Sequence, residues 1–338
     1  MQQLKLHLML LAIVCTVCFT ACDDDDNEPA GANLTELYVS SNTASALAVV
    51  DFSDAANPMT KTLSVAATDA DGVAYDAGSN VLYQNNRTAN RIDAYSMINN
   101  VMDGAKLTPA FSSSSDFTNA REIFQSGNRI VVAQDADASN GQMNKFYVYQ
   151  INGNALSLMN TYTVSINLWG IHIEGNTLYA IVDNSDKLAV FNNFFSNPDG
   201  MIMPNITVQV EGIVRTHGIT YSASDDIMVL TDVGEASSAD DGAVHVISSF
   251  MSKLSGAGNN GIISLGSQIR VAGSSTLLGN PVDVAYDSDT KMIYIAERAK
   301  DGGRILGFDY PTTNGNFAPV YNQLFSGASA VFLNKGRK

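Results

Sequence analysis

From residue 34 onward, apolar residues fall in short runs broken by Gly, Asn, Asp and Ser. The pattern predicts short β-strands joined by tight turns, with no sustained helical periodicity. One phrase is clear. Gly72-Val73-Ala74-Tyr75-Asp76 is followed by a turn at Gly78-Ser79-Asn80 and by Val81-Leu82-Tyr83. A polar turn then leads to Arg91-Ile92-Asp93-Ala94-Tyr95. The phrase returns at Val284-Ala285-Tyr286-Asp287, Met292-Ile293-Tyr294-Ile295 and Arg304-Ile305-Leu306-Gly307-Phe308. It returns again at Gly170-Ile171-His172-Ile173, Leu178-Tyr179-Ala180-Ile181 and Leu188-Ala189-Val190-Phe191. Looser copies start at Glu122 and Gly218. The recurrence, every ~45 to 65 residues, is the length of a four-stranded sheet with its turns. Thr62–Val65, Tyr162–Val164 and Ile206–Val208 are candidate fourth strands.

Second strands begin near Leu37, Leu82, Ile130, Leu178, Ile227 and Ile293, which predicts six sheets. First strands begin near Gly72, Glu122, Gly170, Gly218 and Asp283, and the sixth is found only at the C-terminus, Ser329–Leu333. The N-terminal set lacks a first strand of its own, so the two ends are complementary. The expectation is an all-β, six-bladed β-propeller over 34–334, closed by the C-terminal strand joining the N-terminal blade, with a tail at 335–338. Closure removes the open sheet edges that invite aggregation. The phrase resembles the repeat of NHL and YVTN-type propellers, most closely at 72–95 and 282–308. That resemblance implies architecture and no particular activity.

Residues 1–21 read as a signal peptide: Lys5, an apolar run from Leu8 to Val17, and small residues before Cys22. The run is too short for a permanent membrane span. Phe19-Thr20-Ala21-Cys22 resembles the lipobox of bacterial lipoproteins, which implies lipid on Cys22 and a membrane partner through that lipid. Residues 22–33 form an acidic tether opening with Asp23 to Asp26; four adjacent like charges repel and stay solvated. Such a cluster after the lipidated cysteine resembles a surface-export signal, which implies a lipid anchor in the bacterial outer membrane and exposure at the cell surface. Cys15 and Cys18 leave with the signal, so the folded part has no thiol for a disulfide, thiol catalysis or a thiolate metal site. The net charge of −15 becomes −16 without Lys5, which argues against nucleic acid as a partner.

In a propeller the first strands line the central channel, and their starts lie on one face with the loops between second and third strands. The channel-mouth positions are then Asp71, Arg121, Trp169, His217, Val282 and Ser329. Asp71, Arg121, Trp169 and His217 form the candidate ligand-binding set. Trp169, the only tryptophan, offers a surface for a sugar or other flat ligand, or packs against a neighbouring blade. Arg121 offers a fork for an anion, or pairs with Asp71. His217 is a candidate base, or a histidine satisfied by a local partner.

One step inward, Glu122 and Asp283 face each other across the channel and form a candidate site for a hard cation such as calcium. This resembles the calcium-dependent lactonases grouped with gluconolactonase, whose site also uses two Asn side chains. Gly170 and Gly218 stand at those positions here, so the expected cofactor is none, with calcium as the alternative. The long acidic loops 135–143 and 232–242 rise on the mouth face. Gly256-Ala257-Gly258-Asn259-Asn260-Gly261 fits a dinucleotide glycine pattern but lacks the strand-to-helix context, and reads as a flexible connection.

With no established catalytic constellation and no assignable catalytic residue, the leading expectation is a surface lipoprotein whose propeller binds a glycan, a peptide or an envelope protein. The alternatives are a calcium-dependent lactonase or esterase-like hydrolase and a structural scaffold in an envelope complex.

Overall fold

The structure, a computed structural model, describes residues 33–337 except residue 236. The signal segment, Cys22 and the tether up to residue 32 lie outside the described residues.

Six antiparallel sheets form the blades. Their innermost strands touch in one closed cycle: Ala328–Arg337 (blade 1), Ala70–Asp76, Ala120–Ser126, Leu168–Glu174, Thr216–Ser222, Pro281–Asp287 (blade 6) and back. The C-terminal strand pairs antiparallel with Asn33–Ser41, setting Phe332 opposite Tyr38 and Val331 opposite Val39. The chain is thus a six-bladed propeller closed by strand pairing between its ends, and that pairing runs on past residue 334.

The core lies between blades rather than at one centre. Leu37, Val39, Tyr294 and Ala296 pack between blades 6 and 1. Tyr38, Tyr75, Leu82 and Tyr95 pack between blades 1 and 2. Each blade is therefore covered on both faces, and Val81–Asn86 is buried at every position. Double coverage also explains why the second strands are apolar on both faces and do not alternate cleanly.

The innermost strands approach each other too closely for side chains at three points. A Cβ on Gly72 would lie 2.3 Å from the Ile123 nitrogen, and one on Gly170 would lie 2.3 Å from the His217 carbonyl oxygen. On Gly218 it would lie 2.7 Å from Asp283 Cα. Glycine is needed there for space, where one blade meets the next.

Four outer edges are covered by chain from the following blade. Gly200–Met201 and Ile262–Ile263 add parallel strands to blades 3 and 4. Lys106 and Gly315 make single parallel bridges to Ser64 of blade 1 and Val271 of blade 5. These straps leave less unpaired backbone at the rim.

Sequence periodicity missed the helix Phe250–Ala257 between the third and fourth strands of blade 5. Phe250 and Leu254, one turn apart, drop into the cluster that holds Tyr179 and Ile181. The helix takes in the first two residues of the glycine-rich segment read as a flexible connection, which is corrected accordingly. Gly258 ends it with φ 67° and donates its N–H to the Leu254 carbonyl at 3.0 Å.

Candidate functional site

Every innermost strand carries a β-bulge at the same height, where one extra residue opposes the second strand. The bulges fall at Asp71-Gly72, Arg121, Trp169-Gly170, His217-Gly218, Val282 and Ser329, the six positions expected at the channel mouth. A bulge turns a side chain out of the regular pleat. Of the six, Asp71, Arg121, Trp169, Val282 and Ser329 line one cavity of about 250 Å³, together with Asn42, Asp69, Arg87 and Arg298.

Three side chains form a stack along this ring. The His217 imidazole lies on the Trp169 ring with centroids 3.6 Å apart and planes 4° from parallel. The Arg121 guanidinium carbon stands 4.1 Å from the Trp169 ring centroid. Two groups this close cannot share one face of an indole, so Arg121 and His217 cover opposite faces. Ligand stacking on the open face of Trp169, an expectation from sequence, is thereby corrected: both faces are occupied, and only the ring edge remains to line the cavity.

Asp183 holds the far end of the stack. It accepts from Arg215 Nε at 3.0 Å and Nη2 at 3.2 Å, a two-pronged pair, and lies 3.1 Å from His217 Nε2. Burial alone would raise the Asp183 carboxyl, but the His217 and Arg215 hydrogen bonds outweigh it and bring it down to about 2. Burial brings His217 down to about 4 against the pull of Asp183, so at neutral pH the ring is uncharged. A carboxylate only accepts, so Nε2 carries the proton; Nδ1 is buried with no hydrogen-bond partner among the described residues.

Asp71 does not pair with Arg121. Its partner is Arg87, which donates from Nη1 at 3.0 Å and also lies 3.6 Å from Asp69. Burial pushes the Asp71 carboxyl up to about 6, with Arg87 and Arg121 pulling the other way. Arg121 instead reaches Asp135 of its own blade at 3.7 Å.

Glu122 and Asp283 line a second cavity of about 290 Å³, which extends to Ser288 and Lys335 at the other end of the channel. Glu122 Oε1 accepts from the Ile123 N–H at 2.8 Å. Asp283 accepts from the Val284 N–H at 2.8 Å and the Val331 N–H at 2.7 Å. Burial, and then the Asp283 charge, raises Glu122 well above the usual carboxylate range; burial raises Asp283 to about 7. The chemistry is that of two neighbouring carboxyl groups sharing protons. Calcium takes six to eight oxygens. Here both Asp283 oxygens are tied to backbone amides, the Asn positions are glycines, and among the described residues no three acidic, His or Cys side chains group for a metal. The residues do not fit the lactonase calcium site.

The long loops have structural work. In loop 135–143, Asp137 caps the short 3-10 turn Ala138–Asn140, accepting from the Ser139 N–H at 2.6 Å. At the base of loop 232–242, Asp232 accepts from the amides of Val214, Arg215 and Gly234. Asp240 pairs with Lys300 of blade 6.

Sequence reading did not assign Arg87, Asp183, Arg215, Arg298 or Asn42 to the site. A signal for most of them exists: Asn42, Arg87, Asp135, Asp183, Val233 and Arg298 each stand one residue past a second strand. Reading that column across the repeats gives the outer tier of the mouth.

No known protein family and no curated sequence matches the chain. Solved structures do. A putative 6-phosphogluconolactonase from Bacteroides fragilis is 12% identical with a TM-score of 0.59, over 90% of this chain and 98% of that one. The periplasmic gluconolactonase of Pseudomonas aeruginosa is 12% identical with a TM-score of 0.58, over 89% and 99%. A structure of a nidogen/laminin complex is 13% identical with a TM-score of 0.58, over 88% and 98%. At these identities the likeness is one of fold, shared by proteins named as lactonases and by a protein-binding assembly alike.

Proposed function

We propose that the protein is a lipid-anchored, cell-surface binding module whose ligand seats at the channel mouth. The observation that carries this reading is the convergence of six bulge positions on one end of the channel. There Arg121, Trp169, Arg87 and Arg298 surround a single cavity on the loop-bearing face. A concave site with a few directed polar groups is the usual form of a small-ligand pocket. The lipobox-like segment and acidic tether support presentation of that face away from a membrane. Glycan-array and peptide pull-down binding should be lost on Trp169→Ala, because the Arg121–Trp169–His217 stack then collapses. Binding that survives this change moves the site off the mouth. Metabolic labelling with a fatty acid should disappear on Cys22→Ser; labelling that persists removes the anchor.

A second reading, hydrolysis of a sugar lactone, is supported by the likeness of fold to proteins named as lactonases. Turnover of a lactone supports it, and no turnover removes it.

A further inference from the structure

The mouth carries four of the chain's nine arginines, although the protein is strongly acidic. Their states differ. Arg215 is committed to Asp183 through a two-pronged bond and does not line the cavity. Arg87 is paired with Asp71 and Asp69. Arg121 makes no hydrogen bond to a described residue, and its one ion pair, at 3.7 Å, is too long for one. Arg298 is exposed at the rim and has no ion pair among the described residues; its Nε faces only the Asn42 amide oxygen, at 2.9 Å once that amide is turned to suit. Two guanidinium groups with donors to spare thus face one cavity.

A guanidinium presents five donors in a planar fork and no acceptor, so the complement of two such groups is an oxyanion. The size of the cavity limits the rest of the ligand. At about 250 Å³ it falls below the range of drug-sized pockets, ~300 Å³ upward, so it suits a single sugar unit or smaller. The covered faces of Trp169 exclude stacking and leave the ring edge, against which a short carbon frame can rest. We infer that the channel mouth binds a small organic anion, its charged group held between Arg121 and Arg298 and its carbon frame against the edge of Trp169. The inference rests on the reading of the mouth as a ligand site and gives that site its ligand class. The source of the oxyanion, carboxylate or phosphate ester, is set by the test.

Trp169 is the only tryptophan, so tryptophan emission, excited selectively over the tyrosines, reports on this cavity. Glucuronate, inorganic phosphate and glucose are titrated separately at matched ionic strength. A saturable change is expected with at least one anion and none with glucose. A response to glucuronate alone identifies a carboxylate, and one to phosphate alone a phosphate ester. Arg298→Gln should weaken the anion at least tenfold; this side chain is exposed, so its loss leaves the fold intact. Arg121→Lys keeps the charge, loses the fork and should weaken it too. The inference is overturned if glucose binds as tightly as the anions, if neither anion changes the emission, or if both variants keep full affinity. Calorimetry on Trp169→Ala separates this failure from failure of the underlying reading. A neutral glycan or a peptide whose binding is lost in that variant sinks the anion and keeps the mouth as the site. A ligand whose binding persists in it sinks the mouth itself.

Discussion

At the scale of single residues, the channel holds ionisable groups in environments that pull in opposite directions with pH. His172 and His217 are each brought down to about 4 by burial, so they stay neutral in the fold while they charge in the unfolded chain near 6.5. That stability is lost as pH falls from 6.5 towards 4. The carboxyls of Asp71, at about 6, and Asp283, at about 7, are raised above their unfolded values near 3.9. They contribute in the reverse sense: full stability below the unfolded value, lost as pH rises through the folded one. Glu122 belongs with them, raised by burial and by Asp283. Glu122→Gln removes an ionisation that the fold opposes and keeps an oxygen for the Ile123 N–H. It should raise the melting temperature most at pH 8 and by less at pH 5, which lies just above the unfolded Glu value of about 4.3; thermal melts at the two pH values check this, and an equal shift at both contradicts the shared-proton pair. Much of this chemistry was legible in sequence, because the first-strand phrase places Glu122 and Asp283 on the channel and the mouth residues one step outward. The partners were not. Asp71 was a candidate for Arg121, and the structure gives it Arg87, because pairing depends on the reach of a loop residue and not on strand register.

At the scale of elements, the converging first strands and the helix Phe250–Ala257 make opposite demands on glycine. Gly218→Ala would push a methyl group to 2.7 Å from Asp283 Cα, backbone that has no room to retreat in a closed ring. A loss of ~1–3 kcal/mol is expected from such overpacking. Gly256 lies in the helix Phe250–Ala257 with open space where its Cβ would be, so Gly256→Ala should gain ~0.5–1 kcal/mol from helix propensity alone. Denaturant unfolding of the two variants should shift the midpoint in opposite directions. A stabilised Gly218→Ala protein would show that the strands are looser than drawn. The contrast marks what sequence conveys at this scale. First, second and third strands were readable because they are long, apolar and repeated. The fourth strand of blade 2 is only Phe111–Ser112, and the straps are two residues or one, too short to imprint a period. The helix was hidden because eight residues with two buried side chains give no repeat to detect.

At the scale of the whole molecule, stability depends on a pairing between the two ends of the sequence. The strand Ala328–Arg337 hydrogen-bonds to Asn33–Ser41 and also touches the innermost strands of blades 2 and 6. Removing it therefore exposes one sheet edge and opens two blade interfaces, taking Val331 out of the cluster that holds Ala285 and Tyr294 of blade 6 and Ala330 out of the cluster that holds Val73 and Tyr75 of blade 2. No disulfide can hold the ring shut in its place, since the described residues contain no cysteine. A protein ending at residue 327 should lose cooperative thermal unfolding and aggregate through the bared edge of blade 1. A protein ending at residue 334 keeps most of the pairing and loses Lys335, which is partly exposed and bonded to the buried Asp287 at 2.8 Å, so it should still melt cooperatively at a modestly lower temperature. Circular dichroism melts and light scattering on the two truncations separate these outcomes. If the shorter protein melts as sharply and as late as the full chain, closure is not what holds the blades together. The common height of the six bulges, on which the mouth cavity depends, would then need another cause.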